Sequence, residues 1–378
     1  MKFYFVYSSG GGAGDWNAID RIFLDSMPDY FKDHILIKFG DIYFNHRSNT
    51  NIIKPKNWED VVNVRKWLVA NTNDKSILNS RNLILDVGTT KIVSYITHNG
   101  ENLNGSQIIQ QFIRILDDYD ILEKYAQVIN DSDIDFAVTF DIPNLFKLRT
   151  QFGNQARNLF DEGCKIEMIE ATASFANQTY NAIGKQENKL LTIINGLWSN
   201  DDIDFYLQKL QYSPTKIGIG GLTAFNTNGA SGKLAFASNL DRLNSILKLE
   251  DYVRVHFLGC GGITKANVIK NTLGNLSSFS VDNTTAFNRS IDGNTLGTAQ
   301  SKYIDYINLK ENPITPLSRD RILQLHSLAT SPYFSVEQMT SIIDQILQHQ
   351  SSNSSHRTYD ARAKLIIHNF DVFRSNAS

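Results

Sequence analysis

Cysteine is scarce in this chain, and so are surplus charge and long apolar runs. Only two cysteines, Cys164 and Cys260, occur in 378 residues. They stand far apart, each inside or beside an apolar run, with no C-x-x-C pair and no Cys/His spacing suited to a metal. This reads as two reduced core residues of a cytoplasmic protein rather than as a disulfide. The formal net charge is −2, with both signs mixed along the chain. A strongly basic footprint is therefore lacking, and any nucleic-acid binding would have to use a local patch. No apolar run approaches the ~20 residues of a membrane span. The opening MKFYFVYSSGGGAG is too short in its apolar part for a secretory signal, and reads as a strand entering a glycine-rich loop. That loop lacks the Walker lysine and the G-x-G-x-x-G spacing, which discounts nucleoside triphosphates.

What the chain has is one repeated grammar: a short apolar run that breaks off into small polar residues. NLILDVG ends at Asp86, DFAVTFDIP at Asp141, LLTIING at Asn195 and KIGIGGL at Gly220–Gly221. RVHFLGCGG ends at Gly259, and SFSVDNTTAFNR at Asp282. Buried strands look like this where their C-terminal ends open onto a shared pocket. Eight runs qualify as strands: Lys2–Ser8, His34–Phe39, Asn82–Asp86, Phe136–Phe140, Leu190–Ile194, Lys216–Ile219, Val253–Leu258 and Phe279–Val281. Helical spacing appears between them, over Asp15–Asp29, Trp58–Ala70, Gly105–Leu122, Asn144–Glu162, Ala171–Ile183, Asp201–Leu210, Leu234–Leu247 and Thr264–Leu273.

This alternation predicts an α/β fold, a (β/α)8 TIM barrel over residues 1–312, rather than an open doubly wound sheet. Leu296–Leu309 competes with Lys2–Ser8 for the place that closes the barrel. Beyond Pro313 the pattern changes to helices at Arg319–Ala329, Ser335–Gln348 and Arg357–Phe373, a C-terminal helical extension over 313–378 that packs on the barrel. Arg362 and Lys364 in the last of these read as a solvated face.

Two carboxylates at different strand ends suit a displacement, one attacking carbon and the other managing a proton on the leaving group. Asp282 and Asp86 are the candidates. The plain alternative is that each caps a helix or orders a loop, because aspartate is common after strands. Asp141 precedes Ile142–Pro143, which stiffens its loop, and could accept two N–H donors from a guanine edge. Gly220–Gly221 would let backbone N–H groups approach a flat ligand.

Taken in order, these strand ends resemble the tRNA-guanine transglycosylase superfamily, whose members exchange a guanine in nucleic acid for a 7-deazaguanine. The resemblance runs from about Asn82 to His326. Asp86 in LILDVGTTK is similar to the family's L-x-D-S-G-G-F-Q aspartate, which acts on the departing and entering bases. Asp141 in TFDIP resembles the base-recognising aspartate, and Asn195–Gly196 falls where the family has Gln–Gly. IGIGGLT is similar to IGGLA, which implies that Gly220, Gly221 and Leu222 lie beside the base. VHFLGCG is similar to YLMGVG, with Leu258 in place of a methionine that packs on the base and Gly259 next to it. Asp282 then matches the nucleophile, with Asn283 and Arg289 next to the polynucleotide.

The chain also departs from that pattern. The arginines that grip tRNA after the nucleophile are reduced to Arg289 in DNTTAFNR. His326 matches the zinc histidine, but no cysteine follows Gly261, so no zinc subdomain, no metal and no other cofactor is expected. SGGF has become VGTT at Val87–Thr90, removing an aromatic from one face of the base. Lost tRNA contacts with retained carboxylates imply a DNA-guanine transglycosylase, a glycosyltransferase of DNA modification. Its partners would be DNA (tRNA as the alternative) and a base such as preQ0 or preQ1, with no membrane. A helper protein or homodimer stays open. The Asn/Ile/Lys-rich composition suits a bacteriophage version working in the host cytoplasm. Three other readings compete: the tRNA enzyme itself, a TIM-barrel sugar-processing enzyme, and a non-catalytic binding subunit, against which Asp282 speaks.

Overall fold

A computed structural model describes residues 1–7, 33–44, 63–64, 82–99, 102–132, 134–150, 153–274, 277–283, 302–304, 311–315, 317, 320, 334–352 and 359–377. The chain starts on β1 (Lys2–Tyr7) and β2 (Ile35–Lys38), followed by the short helix α1 (Phe39–Tyr43). After β3 (Leu83–Asp86) come α2 (Thr90–Asn99), α3 (Gly105–Asp118) and α4 (Ile121–Asp131), then β4 (Phe136–Val138). A hairpin of β5 (Leu145–Thr150) and β6 (Gly153–Asn158) leads to α5 (Lys165–Ala182) and β7 (Leu190–Asn195). Then follow α6 (Asn200–Lys209), β8 (Lys216–Gly220), α7 (Ala230–Leu247), β9 (Arg254–Phe257), α8 (Ile263–Leu273) and β10 (Phe279–Asn283). The short pair β11 (Lys302–Ile304) and β12 (Glu311–Pro313) precedes α9 (Val336–Ser352) and α10 (Tyr359–Ala377).

Eight strands close into a barrel in the order β1-β10-β9-β8-β7-β4-β3-β2, and every pairing is parallel. With helices between the strands this is a (β/α)8 barrel. β1 fills the gap between β10 and β2, pairing Lys2 with Ser280 and Phe5 with Ile35. Leu296–Leu309 therefore does not close the barrel; within it, β11 pairs antiparallel with β12 instead.

The alternation of the strands sorts their side chains. Tyr4, Val6, Leu36, Ile84, Val138, Leu191 and Ile193 point inward and form a lumen cluster, with Phe136 and Leu258 against it. Their neighbours Phe5, Ile35, Leu83, Leu85, Ala137 and Ile194 face outward to the helices. A barrel packed on both faces is what β-branched and aromatic runs of this length require.

Helix starts are fixed locally. Asn104 and Ser199 each accept an N3 backbone N–H while Gln107 and Asp202 reach back, which completes capping boxes on α3 and α6.

Two sequence expectations change. Asn144–Glu162 is not a helix. Phe146 and Leu148 are buried while Leu145 and Lys147 are exposed, the period of two that makes a hairpin strand. The helix expected over Gly105–Leu122 breaks at Tyr119–Asp120, where Asp120 takes φ 50° and α4 begins.

The last helix packs on the barrel along Leu365–Phe373, which is buried throughout, while Lys364 just before this stretch is only partly buried. Phe370 lies 4.3 Å from Phe5 and 6.1 Å from Phe3, so α10 covers the outside of β1. His368 and Asn369 hydrogen-bond the backbone of Ile304, tying in β11. The predicted helix Asp15–Asp29, most of Trp58–Ala70 and of Arg319–Ala329, the side chain of Arg362, and residues Arg289 and His326 lie outside the described residues. No described helix is long and apolar enough to cross a membrane.

Candidate active site at the barrel mouth

Asp282 is the best-anchored group at the C-terminal mouth. β10 alternates Ser280 and Asp282 inward, and Asp282 is 5% exposed. Its Oδ1 accepts the Gly259 N–H at 2.7 Å and meets His256 Nε2 at 3.1 Å. An ionised carboxylate can only accept, so Nε2 carries the proton in that state. On the far side of the ring, His256 Nδ1 lies 2.9 Å from Ser280 Oγ, which fixes the imidazole. Tyr4 packs edge-on against the same ring, with centroids 5.3 Å apart. Among the described residues every hydrogen bond to the Asp282 side chain falls on Oδ1, which leaves Oδ2 for chemistry.

The backbone that delivers the Gly259 N–H turns sharply. Gly259 has φ +67°, and a side chain there would press on Thr223, so glycine lets the strand end fold back onto the carboxylate. Next door, the Gly261 N–H donates to the Asp282 carbonyl at 2.7 Å, fastening the end of β10 to the β9–α8 loop.

Asp86 ends β3 in register with Lys38 of β2. Burial raises its pKa, Lys38 opposes that shift, and the charge of Asp282 adds to it. Asp141 is raised to about 7, first by burial and then by the charge of Asp86. The three carboxylates of the sequence reading thus share one mouth and feel one another. Below them, the buried Tyr125 hydroxyl lies 2.8 Å from the Leu85 carbonyl and 2.7 Å from that of Val138, pinning β3 to β4 just beneath Asp86.

Asn195 ends β7 opposite Gly220. Its Oδ1 accepts the Leu197 N–H at 3.0 Å, so Nδ2 is the end left to meet a ligand. Gly221, at φ +76°, passes so close that any side chain there would sit on Asn195 Oδ1. Leu258 is partly buried against the lumen cluster, in position to wall the mouth. Leu222 is fully buried and packs over Gly196, and its carbonyl accepts from Lys265 Nζ at 2.9 Å. Asn283 closes β10 in register with Phe5.

His256 and Lys38 were not singled out from sequence. Each lies in phase with a chosen position, His256 two residues before Leu258 and Lys38 across from Asp86, so the inward alternation could have exposed both. Among the described residues, no group of three or more His, Cys, Asp or Glu side chains is placed to hold a metal ion. The chain matches no protein-family model and no curated protein sequence.

Proposed function

We propose that the protein is a guanine transglycosylase that acts on DNA, exchanging guanine for a 7-deazaguanine by double displacement. The observation that supports this most is the oriented Asp282 carboxylate, with two further carboxylates of raised pKa around the same mouth. The target nucleotide is flipped from its stack into the barrel mouth. Asp282 Oδ2 attacks C1′ as the C1′–N9 bond breaks, and Asp86 gives its proton to the departing guanine. Burial favours that proton on Asp86 beforehand. The incoming base then loses its N9 proton to Asp86 and attacks C1′, breaking the ester and freeing Asp282.

Asp141 and Asn195 Nδ2 read the guanine-like edge, and Gly221 keeps the backbone close to it. The His256 and Gly259 donors hold the nucleophile's other oxygen and take no proton in either step. Asp282 as a nucleophile sets this reading apart from a binding subunit, and the missing tRNA-gripping arginines favour DNA over tRNA.

The test is to incubate the protein with guanine-containing DNA or bulk tRNA plus 7-deazaguanine bases, then digest and weigh the nucleosides by mass spectrometry. A 7-deaza-deoxyguanosine that needs Asp282 is expected. Modified ribonucleoside alone would move the substrate to tRNA, and free-sugar turnover without polynucleotide would overturn the reading.

A further inference from the structure

We propose that the N-terminal floor of the barrel is a second binding site, which takes a phosphate-class oxyanion between Arg254, Lys2, His34 and Lys216. These residues stand at or beside the N-terminal ends of β9, β1, β2 and β8, the end opposite Asp282. Two inward rings bring them together. Arg254 Cζ lies 4.5 Å from the Phe136 centroid and 6.0 Å from that of Tyr4, and its Nη1 donates to the Tyr4 hydroxyl at 2.9 Å. Lys216 Nζ lies 5.6 Å from the same Phe136 centroid. The His34 ring meets Tyr4 edge-on at 5.3 Å, and its buried Nε2 has no hydrogen-bond partner. Lys2 is near enough to Arg254 for their charges to repel.

The charge balance is one-sided. Arg254 is only 9% exposed, yet among the described residues no carboxylate pairs with it, nor with Lys2 or Lys216. Asp135, whose charge is felt by Tyr4, accepts the Leu83 N–H on Oδ2 at 2.6 Å. Asp33 and Glu187 act weakly, on His34 and Lys216. A buried guanidinium normally has a counter-ion, because aromatic faces attract a cation without neutralising it. Desolvation and then the neighbouring Arg254 lower the ammonium pKa of both Lys2 and Lys216, so the cluster is under repulsion that an anion would relieve.

The cationic and imidazole groups stand on four strand ends, with one Lys216 proton given to the Asn188 carbonyl. Groups on four ends suit a tetrahedral oxyanion better than a planar carboxylate, which would engage the guanidinium fork alone. The site is independent of the chemistry at the mouth.

Isothermal titration of the full chain with inorganic phosphate, at fixed ionic strength against chloride, tests this; a parallel arm uses glycerol 3-phosphate. Wild type should bind phosphate, with sulfate competing. Binding of both probes assigns the site to phosphate monoesters as well, and binding of phosphate alone confines it to the free anion. Lys2→Gln/Lys216→Gln, changes at partly buried side chains that keep the rings in place, should weaken affinity at least tenfold, and Arg254→Met should abolish it. No binding beyond chloride, or unchanged affinity in the Lys2→Gln/Lys216→Gln protein, would overturn the proposal.

Discussion

Replacing Asp141 with asparagine should stabilise the protein, and more so as pH rises. Burial, then the charge of Asp86, lifts the Asp141 carboxyl from 3.8 to about 7 in the folded state. Between those values the folded protein holds a proton that the unfolded chain has released. Stability therefore falls as pH climbs through this window, and the penalty is complete above about 7. A shift of roughly 3 units at about 1.4 kcal/mol each gives about 4 kcal/mol, or roughly 2–4 kcal/mol after allowance for solvent at the open mouth. Asparagine keeps the shape and has no charge to bury. At about 2.1 cal/mol/K per residue, the unfolding entropy of this chain is about 0.8 kcal/mol/K, so the gain corresponds to ~3–5 °C in Tm. Calorimetric melts of wild type and Asp141→Asn at pH 8.5 and pH 5 measure it. The gap should shrink to less than half at pH 5. An equal gap at both values, or a less stable variant at pH 8.5, would refute the claim that Asp141 is held against its own solvation.

Three further outcomes follow from contacts around the mouth. Tyr125→Phe leaves the buried Leu85 and Val138 carbonyls without their hydroxyl and should cost about 1–3 kcal/mol, read from the denaturant midpoint. Gly221→Ala forces a side chain into φ +76° and onto Asn195, and should cost about 1–3 kcal/mol in the same assay; an unmoved midpoint would contradict the close approach. His256→Phe keeps the ring against Tyr4 but removes a hydrogen bond to the Asp282 carboxylate. That charge-assisted bond is worth about 1.5–3 kcal/mol to the folded protein, a loss of ~2–4 °C in Tm, and single turnover should slow by up to about a hundredfold because the carboxylate loses its orientation.

The barrel was legible because buried parallel strands are short apolar runs, and six of the eight break off into small or polar residues at the mouth. The strand that closes the barrel stayed open between Lys2–Ser8 and Leu296–Leu309, and only the pairing of β1 with β10 and β2 decides it, with Phe3, Tyr4, Phe5 and Val6 buried on both faces. The hairpin was misread because Leu145, Phe146 and Leu148 satisfy helical spacing as well as alternation. The exposure of Leu145, at 47%, and of Lys147 separates the two. The carboxylates of the mouth were visible as strand-end residues, whereas the partners that hold them were not. His256 sits mid-strand, where a histidine looks like core, and Tyr125 reaches the mouth from a helix. Pairings across the barrel depend on register, which local sequence does not encode. That the C-terminal helices pack on the barrel was expected, but how deeply α10 is buried was not, because its polar residues His368 and Asn369 are spent on the Ile304 backbone rather than on solvent.

The central claim is that Asp282 carries the sugar during exchange, and a denaturing quench tests it most directly. Protein and guanine-containing DNA are mixed, stopped in detergent and resolved on a gel that separates free protein from protein covalently bound to DNA. The account predicts an adduct that disappears on adding the incoming 7-deazaguanine, is absent in Asp282→Ala, and maps by peptide mass to the segment containing Asp282. An adduct that survives in Asp282→Ala, or full exchange by that variant, would contradict it.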